Sequence, residues 1–194
     1  MRRALLLIGV LTGFGACAAG GWTDYVLTKT QVRPAYEVAD FRFLHGGKTM
    51  PVVVHGTAFG LPEGEIGAAI GRHMTGHTLA APTRLVSDQS AGTGTSRLAV
   101  KIAPPVDMSA NSLCAGERLA ETASPRGDGR LALLVAYCNR DRHLSSTHLT
   151  VDIPSGGQPV EAPTLRKALA LTATKLFPAR DPNEDSDRDF EMGG

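Results

Sequence analysis

The stretch LALLVAYCNRDRHLSSTHLTVDI, residues 131–153, is the part of the chain that most clearly indicates the fold. Residues 131–138 are almost all apolar, as in a buried strand, and residues 139–142 (NRDR) are polar, as in a turn. Beyond the turn, Leu149, Val151 and Ile153 alternate with polar residues, which is typical of a strand with one buried face. The stretch therefore predicts a β-hairpin, the basic unit of an antiparallel sheet.

Three further strands are expected before this hairpin. Residues 35–44 carry two alternating apolar pairs offset by one step, which predicts a bulged strand. Residues 51–55 (PVVVH) form a β-branched run typical of a buried central strand. Alternating apolar residues at 98–102 predict another strand, which Pro104 and Pro105 end.

Two helices are expected outside the sheet. Residues 62–75 place apolar side chains at helical spacing, with Pro62 near the first turn. Thr164 is a candidate N-cap for a second helix, whose apolar stripe runs to Leu176 and which Pro178 ends. The order of elements predicts an α+β fold in one domain over residues 34–178: a mainly antiparallel sheet with about two helices packed outside it.

Composition fits an ordinary single domain. Apolar residues make up 42% of the 194 residues, charged residues 20% and aromatic residues only 5%, so aliphatic packing should dominate the core. The formal net charge of +1 provides no electrostatic footprint for nucleic acid. Residues 179–194 are the exception, because six acids face two arginines there, and we expect a disordered acidic tail.

The first 16 residues have the pattern of a signal peptide. Arg2 and Arg3 form a positive segment, and an uncharged run extends from Ala4 to Ala16. This run is shorter than the roughly 20 residues that a membrane-spanning helix needs. We therefore expect residues 1–16 to be an export leader that is removed.

The end of the leader, Phe14-Gly15-Ala16-Cys17, resembles the lipobox of bacterial lipoproteins. The resemblance implies that Cys17 receives acyl chains such as palmitate, that residues 17–33 are a tether, and that the protein attaches to the membrane through its N-terminal lipid. Ala18 replaces the aspartate that retains enteric lipoproteins in the inner membrane, so the resemblance implies an outer-membrane lipoprotein facing the periplasm. Alternatively, Ala16-Cys17-Ala18 is an ordinary signal sequence, and cleavage before Ala19 releases a soluble periplasmic protein.

Two cysteines, Cys114 and Cys138, remain in the body of the exported chain under either cleavage scheme. Paired cysteines in an oxidising compartment usually form a disulfide. This bond would close a loop of about 25 residues and stabilise the fold by roughly 3 kcal/mol. The alternative is a pair of buried reduced thiols.

Only one pair of residues suggests metal chemistry. His73 and His77 are spaced i and i+4, so on a continuous helix they would share a face and could bind one metal ion. No third ligand is spaced to join them, the glutamate of an HExxH motif is missing, and Gly76 is expected to end the helix. A metal-binding protein or metal-dependent enzyme using this pair is therefore the alternative function, and no cofactor is expected.

The segment Gly56-Thr57-Ala58-Phe59-Gly60 lies where phosphate loops lie, between a strand and a helix. It lacks the lysine and hydroxyl of a Walker motif, and Glu63 would repel an anion. Its Gly-x-x-Phe turn resembles that of a group of small bacterial envelope proteins, which implies no activity. The sequence thus favours a non-catalytic envelope lipoprotein that acts as an accessory or binding component, with an envelope protein as a possible partner.

Overall fold

The computed structural model describes residues 24–123, 129–154 and 158–181. Within these residues the elements follow one another as β1 (Tyr25–Val32), α1 (Val38–His45), β2 (Thr49–His55), α2 (Glu63–Met74), β3 (Arg84–Ser87), β4 (Arg97–Ile102), α3 (Ala110–Ala115), β5 (Arg130–Asn139), β6 (Arg142–Asp152), a short 3-10 turn (Pro159–Glu161) and α4 (Pro163–Leu176). The strands form one sheet in the order β1-β6-β5-β4-β2-β3. The α+β class is confirmed.

The sheet is mixed rather than mainly antiparallel, so that part of the prediction is wrong. β1, β6, β5 and β4 pair antiparallel, whereas β2 pairs parallel with both β4 and β3. The reason is the crossover through α2, which returns the chain to the end of the sheet where β2 began. The loop over residues 88–96 carries the chain back in the same way between β3 and β4, so β4 also runs parallel to β2. The expected hairpin is confirmed as β5 and β6, with ten paired positions.

Four α-helices rather than two are present in the part of the chain that the structure describes. The predicted strand over residues 35–44 is wrong, because Val38–His45 forms α1. Val38, Phe41 and His45 are buried at helical spacing, and Glu37 provides no side-chain cap. The cap comes instead from Asp181, whose Oδ1 accepts a hydrogen bond from the Val38 N–H at 2.6 Å. A residue 143 positions away therefore contributes to the stability of this helix.

Both ends of the predicted domain also differ from expectation. Tyr25–Val32, assigned to the tether by the sequence, forms the edge strand β1 and pairs with β6. Asp181, assigned to the acidic tail, caps α1. Thr164 is not an N-cap, because α4 begins at Pro163, and the Thr164 hydroxyl contacts the Asp152 carbonyl instead. The signal peptide, Cys17 and residues 182–194 of the tail lie outside the described residues.

The two faces of the sheet are covered to different extents. One face carries the main core, where α1, α2 and α4 pack against side chains such as Val52, Val100, Leu133 and Leu149. The other face carries a smaller cluster built around α3, which includes Leu113, Cys114 and Cys138. Because α3 has only six residues, much of this second face is left uncovered. Among the described residues, no helix is long and apolar enough to cross a membrane.

Candidate functional site

The uncovered part of the α3 face contains a groove. Its floor is formed by alternate residues of β5 and β6, and the register places Leu134 beside His148 and Ala132 beside Thr150. One wall is the segment over residues 103–109, and the other is β1. The groove has an upper cavity of about 500 Å³ and a lower cavity of about 300 Å³, which share Lys29, Val106 and His148.

One wall of the upper cavity is largely apolar. Pro104, Pro105 and Val106 line one side, and the Val106 side chain is 74% exposed to solvent. Phe59, in the turn after β2, is also part of the lining and is 38% exposed. An exposed valine and an exposed phenylalanine beside one cavity form a surface that a ligand or partner can cover.

Several backbone groups of the apolar wall are hydrogen-bonded within the protein. Ala103 donates to the Ala132 carbonyl at 2.9 Å and accepts from the Ala123 N–H at 2.8 Å. Met108 donates to the Pro105 carbonyl at 3.0 Å, and prolines 104 and 105 have no N–H. Over residues 103–105 the wall therefore offers a ligand no free N–H group.

Backbone strain is concentrated around the upper cavity. Five non-glycine residues in the described part of the chain have a positive φ, and three of them line this cavity: Lys29 at 51°, Phe59 at 57° and Ala103 at 47°. Residues with side chains rarely adopt this left-handed conformation, and such strain tends to occur at ligand-binding and functional sites. Each wall of the groove contributes at least one of the three.

The charged side chains of the groove differ in whether they form ion pairs. Lys29 is exposed and joins no ion pair within the described ranges. Asp107, the acid lining the lower cavity, is paired with Arg118 through two hydrogen bonds of 3.0 and 3.2 Å, and Arg118 also pairs with Glu121. Arg130, at the upper end, is paired with Asp152 at 2.8 Å. Lys29 thus remains to attract an anion.

Two histidines provide neutral hydrogen-bonding groups. Burial, followed by the charge of Lys29, lowers the pKa of His148 below its usual value. Burial also lowers the pKa of His143, followed by the charge of Arg33. His143 Nδ1 lies 2.6 Å from Oδ1 of Asn111 on α3 and donates to it, which fixes the imidazole at the lower end of the groove.

Two buried cations hold the segment that carries the apolar wall against the sheet. Lys101 Nζ donates to the Leu119 carbonyl at 2.8 Å, and Arg97 Nη2 donates to the Cys114 carbonyl at the end of α3. Arg97 Nη1 also donates to the Thr95 and Arg140 carbonyls. Arg97 and Lys101 lie on the face of β4 opposite the main core, and the sequence did not indicate that both would be buried there.

Cys114 and Cys138 lie at disulfide distance, with their Cα atoms 5.5 Å apart. Cys114 is in α3, and Cys138 is near the end of β5. The pair therefore joins the helix beside the groove to the central hairpin.

His73 and His77 do not lie on one face of a continuous helix, as the predicted metal site required. α2 ends at Met74, and Gly76 has a φ of 87°, so His77 lies beyond the helix and is exposed. His73 Nε2 instead contacts the Val160 carbonyl at 2.8 Å and lies 3.6 Å from a Glu161 carboxylate oxygen. Within the described ranges there is no group of three or more His, Cys, Asp or Glu side chains arranged for a metal.

The turn after β2 is already occupied by a side chain of the protein. The Gly56 N–H, which a phosphate loop would offer to an anion, donates to Glu63 Oε1 at 2.6 Å. The carboxylate therefore fills the position that a phosphate would need. Phe59 of the same turn lines the groove instead.

Comparisons with known proteins assign neither a family nor an activity. No family model and no curated protein matches the chain. Among solved structures, the chain is similar to the PelC dodecamer from Paraburkholderia phytofirmans, with 10% identity and a TM-score of 0.41 over 80% of this chain and 98% of that chain.

Proposed function

We propose that this protein is a non-catalytic binding component of the bacterial cell envelope, held at the periplasmic side of the outer membrane by acyl chains on Cys17. The observation that carries the binding role is the groove on the α3 face. It is an open concavity with one apolar wall, a lysine that joins no ion pair among the described residues, and strained residues on both sides. Grooves of a few hundred Å³ with a few placed polar groups are typical of ligand sites.

Attachment through Cys17 would keep the groove close to the membrane. β1 begins at Tyr25, eight residues after Cys17, and its residues Thr28 and Lys29 line the groove. Eight residues span at most about 28 Å even when fully extended. A lipid on Cys17 therefore limits the start of the sheet to about that distance from the bilayer surface.

In this proposal Cys114 and Cys138 are oxidised in the periplasm. The bond would keep α3, and with it the end of the wall segment, fixed against β5. A fixed wall favours binding because less conformational freedom is lost when a ligand enters.

The anchoring is tested by intact-mass measurement of the native protein purified from envelopes. We expect a chain that begins at Cys17 and carries acyl additions, and a Cys17→Ser variant without them. An unmodified chain that begins at Ala19 would exclude anchoring and favour the soluble periplasmic alternative.

The binding role is tested by photo-crosslinking in living cells. A photoreactive residue at position 106 should give defined adducts, because Val106 lines the groove. The matched control is position 43, since the Phe43 side chain is 79% exposed on α1, outside the groove lining. Equal labelling at the two positions would contradict a binding role for the groove.

A further inference from the structure

We propose that the groove binds a long-chain fatty acid, with its hydrocarbon chain along the wall at residues 103–106 and its carboxylate at Lys29. The inference rests on the proposed function in one respect, the closeness of the groove to the membrane. Its other supports are the hydrogen-bonding state, charge and size of the groove.

The apolar wall is suited to a hydrocarbon chain rather than to a peptide. An extended peptide needs backbone partners for its N–H and C=O groups when it is covered. Prolines 104 and 105 have no N–H, and the N–H groups of Ala103 and Met108 are already used within the protein. A hydrocarbon chain needs no such partners, so it can cover the apolar side chains of Val106 and Phe59.

The charge of the groove indicates an anionic head group. Arg118 is paired with both Asp107 and Glu121, and Arg130 with Asp152, whereas Lys29 joins no ion pair within the described ranges. His148, which faces the same cavity, has a lowered pKa and is a neutral hydrogen-bonding group near pH 7. A single carboxylate matches one lysine, while a polyanion would leave its further charges without partners on these walls.

The size and position of the groove fit one acyl chain taken from the neighbouring membrane. The upper cavity of about 500 Å³ lies within the range of small-molecule sites. β1, which carries Lys29, begins eight residues after the proposed lipid anchor. Fatty acids released in the periplasm-facing leaflet of the membrane at that distance would reach the groove without crossing a large aqueous gap.

The test uses the mature chain carrying Cys17→Ser, which removes the anchor and changes no described residue. Titration with cis-parinaric acid, a fluorescent 18-carbon fatty acid, should saturate at one molecule per chain. Oleate should displace the probe, and methyl oleate, which has the same chain but no carboxylate, should compete about three- to fivefold more weakly.

Two variants and one control locate the site. Val106→Asp places a charge on the apolar wall and should weaken probe binding more than tenfold. Lys29→Gln should remove the difference between oleate and methyl oleate. Phe43→Asp, an equally exposed apolar-to-acid change outside the groove, should leave binding unchanged, and thermal unfolding should show that all three variants are folded.

The outcomes separate this inference from the proposed function. Absence of saturable binding, or equal effects of Val106→Asp and Phe43→Asp, would overturn the inference. If position 106 crosslinks to a protein in cells while the fatty acid does not bind, the proposed binding role of the groove is supported and its ligand is a protein. If the fatty acid binds but the native chain carries no lipid, the proposed anchoring through Cys17 is contradicted and the proposed fatty-acid site is supported.

Discussion

Gly71 shows how a single residue sets the packing of a helix on the sheet. A Cβ at this position would lie 2.7 Å from the Leu85 carbonyl oxygen, so Gly71 allows α2 to approach β3 closely. Gly64, on the same helix, has no atom within 4 Å of the corresponding position. Two glycines of one helix therefore have different roles, which the sequence does not distinguish.

This difference predicts opposite effects of the same substitution. Gly71→Ala should lower the free energy of unfolding by about 1–3 kcal/mol, because the clash is with backbone that cannot rotate away. Gly64→Ala should raise it by up to about 1 kcal/mol, since alanine is the better helix former. Urea unfolding measures both changes, and a stabilising Gly71→Ala would show that α2 and β3 are not in this contact.

At the scale of elements, the sequence predicted those whose signal is local. α2 and the β5–β6 hairpin form as expected, because the spacing of their apolar residues matches a helix or a strand over many positions. Residues 35–44 were misread because a short segment fits both periods, and the cap from Asp181 that favours the helix comes from the other end of the chain. β1 was missed because its sequence, YVLTKTQV, begins with three consecutive apolar residues and shows no apolar–polar alternation, while its pairing with β6 is a contact distant in sequence.

The last helix, α4, provides a test of the main core. Leu169 is fully buried, whereas Leu171, two residues along the same helix, is 36% exposed. Leu169→Ala should lower the free energy of unfolding by about 2–5 kcal/mol, the usual cost of removing a buried leucine side chain. Leu171→Ala is the matched control, and its effect should stay below about 1 kcal/mol in the same denaturation assay. Equal losses would mean that the packed face of α4 is wrongly assigned.

The link between α3 and β5 gives a second prediction at this scale. The oxidised protein, denatured without reductant, should show no free thiol from Cys114 or Cys138. Reduction should lower the free energy of unfolding by up to about 3 kcal/mol, because the unfolded chain regains the freedom of a loop of about 25 residues. Because Cys17 can also contribute a thiol, both measurements use the Cys17→Ser chain. Two titratable thiols before reduction would exclude the bond.

For the whole molecule, the sequence predicted the fold class but not the groove. The class follows from the count and order of local elements. The groove combines side chains from β1, the turn after β2, the segment after β4, and strands β5 and β6. Only the order of strands in the sheet brings these parts together, and that order depends on the crossover through α2. No motif in one segment could have indicated it.

The buried histidines predict how the stability of the whole molecule depends on pH. Burial, followed by the charge of Lys48, lowers the pKa of His45 to about 4, and burial also lowers the pKa values of His55, His143 and His148. In the unfolded chain a histidine has a pKa of about 6.5, so between pH 6.5 and 4 the unfolded state binds more protons than the folded state. The free energy of unfolding should therefore be highest above pH 6.5 and fall as the pH is lowered.

At pH 5, His45 alone should reduce the free energy of unfolding by about 2 kcal/mol relative to pH 7.5, since one pKa unit corresponds to about 1.4 kcal/mol. Urea unfolding at the two pH values measures the change. In the His45→Gln variant the difference between the two pH values should shrink by about this amount, even though the variant is less stable at both, because glutamine cannot take up a proton. His77→Gln is the control, since the exposed His77 side chain should leave the difference unchanged. A wild-type protein that is equally stable at pH 5 and 7.5 would show that these imidazoles are not buried in their neutral form.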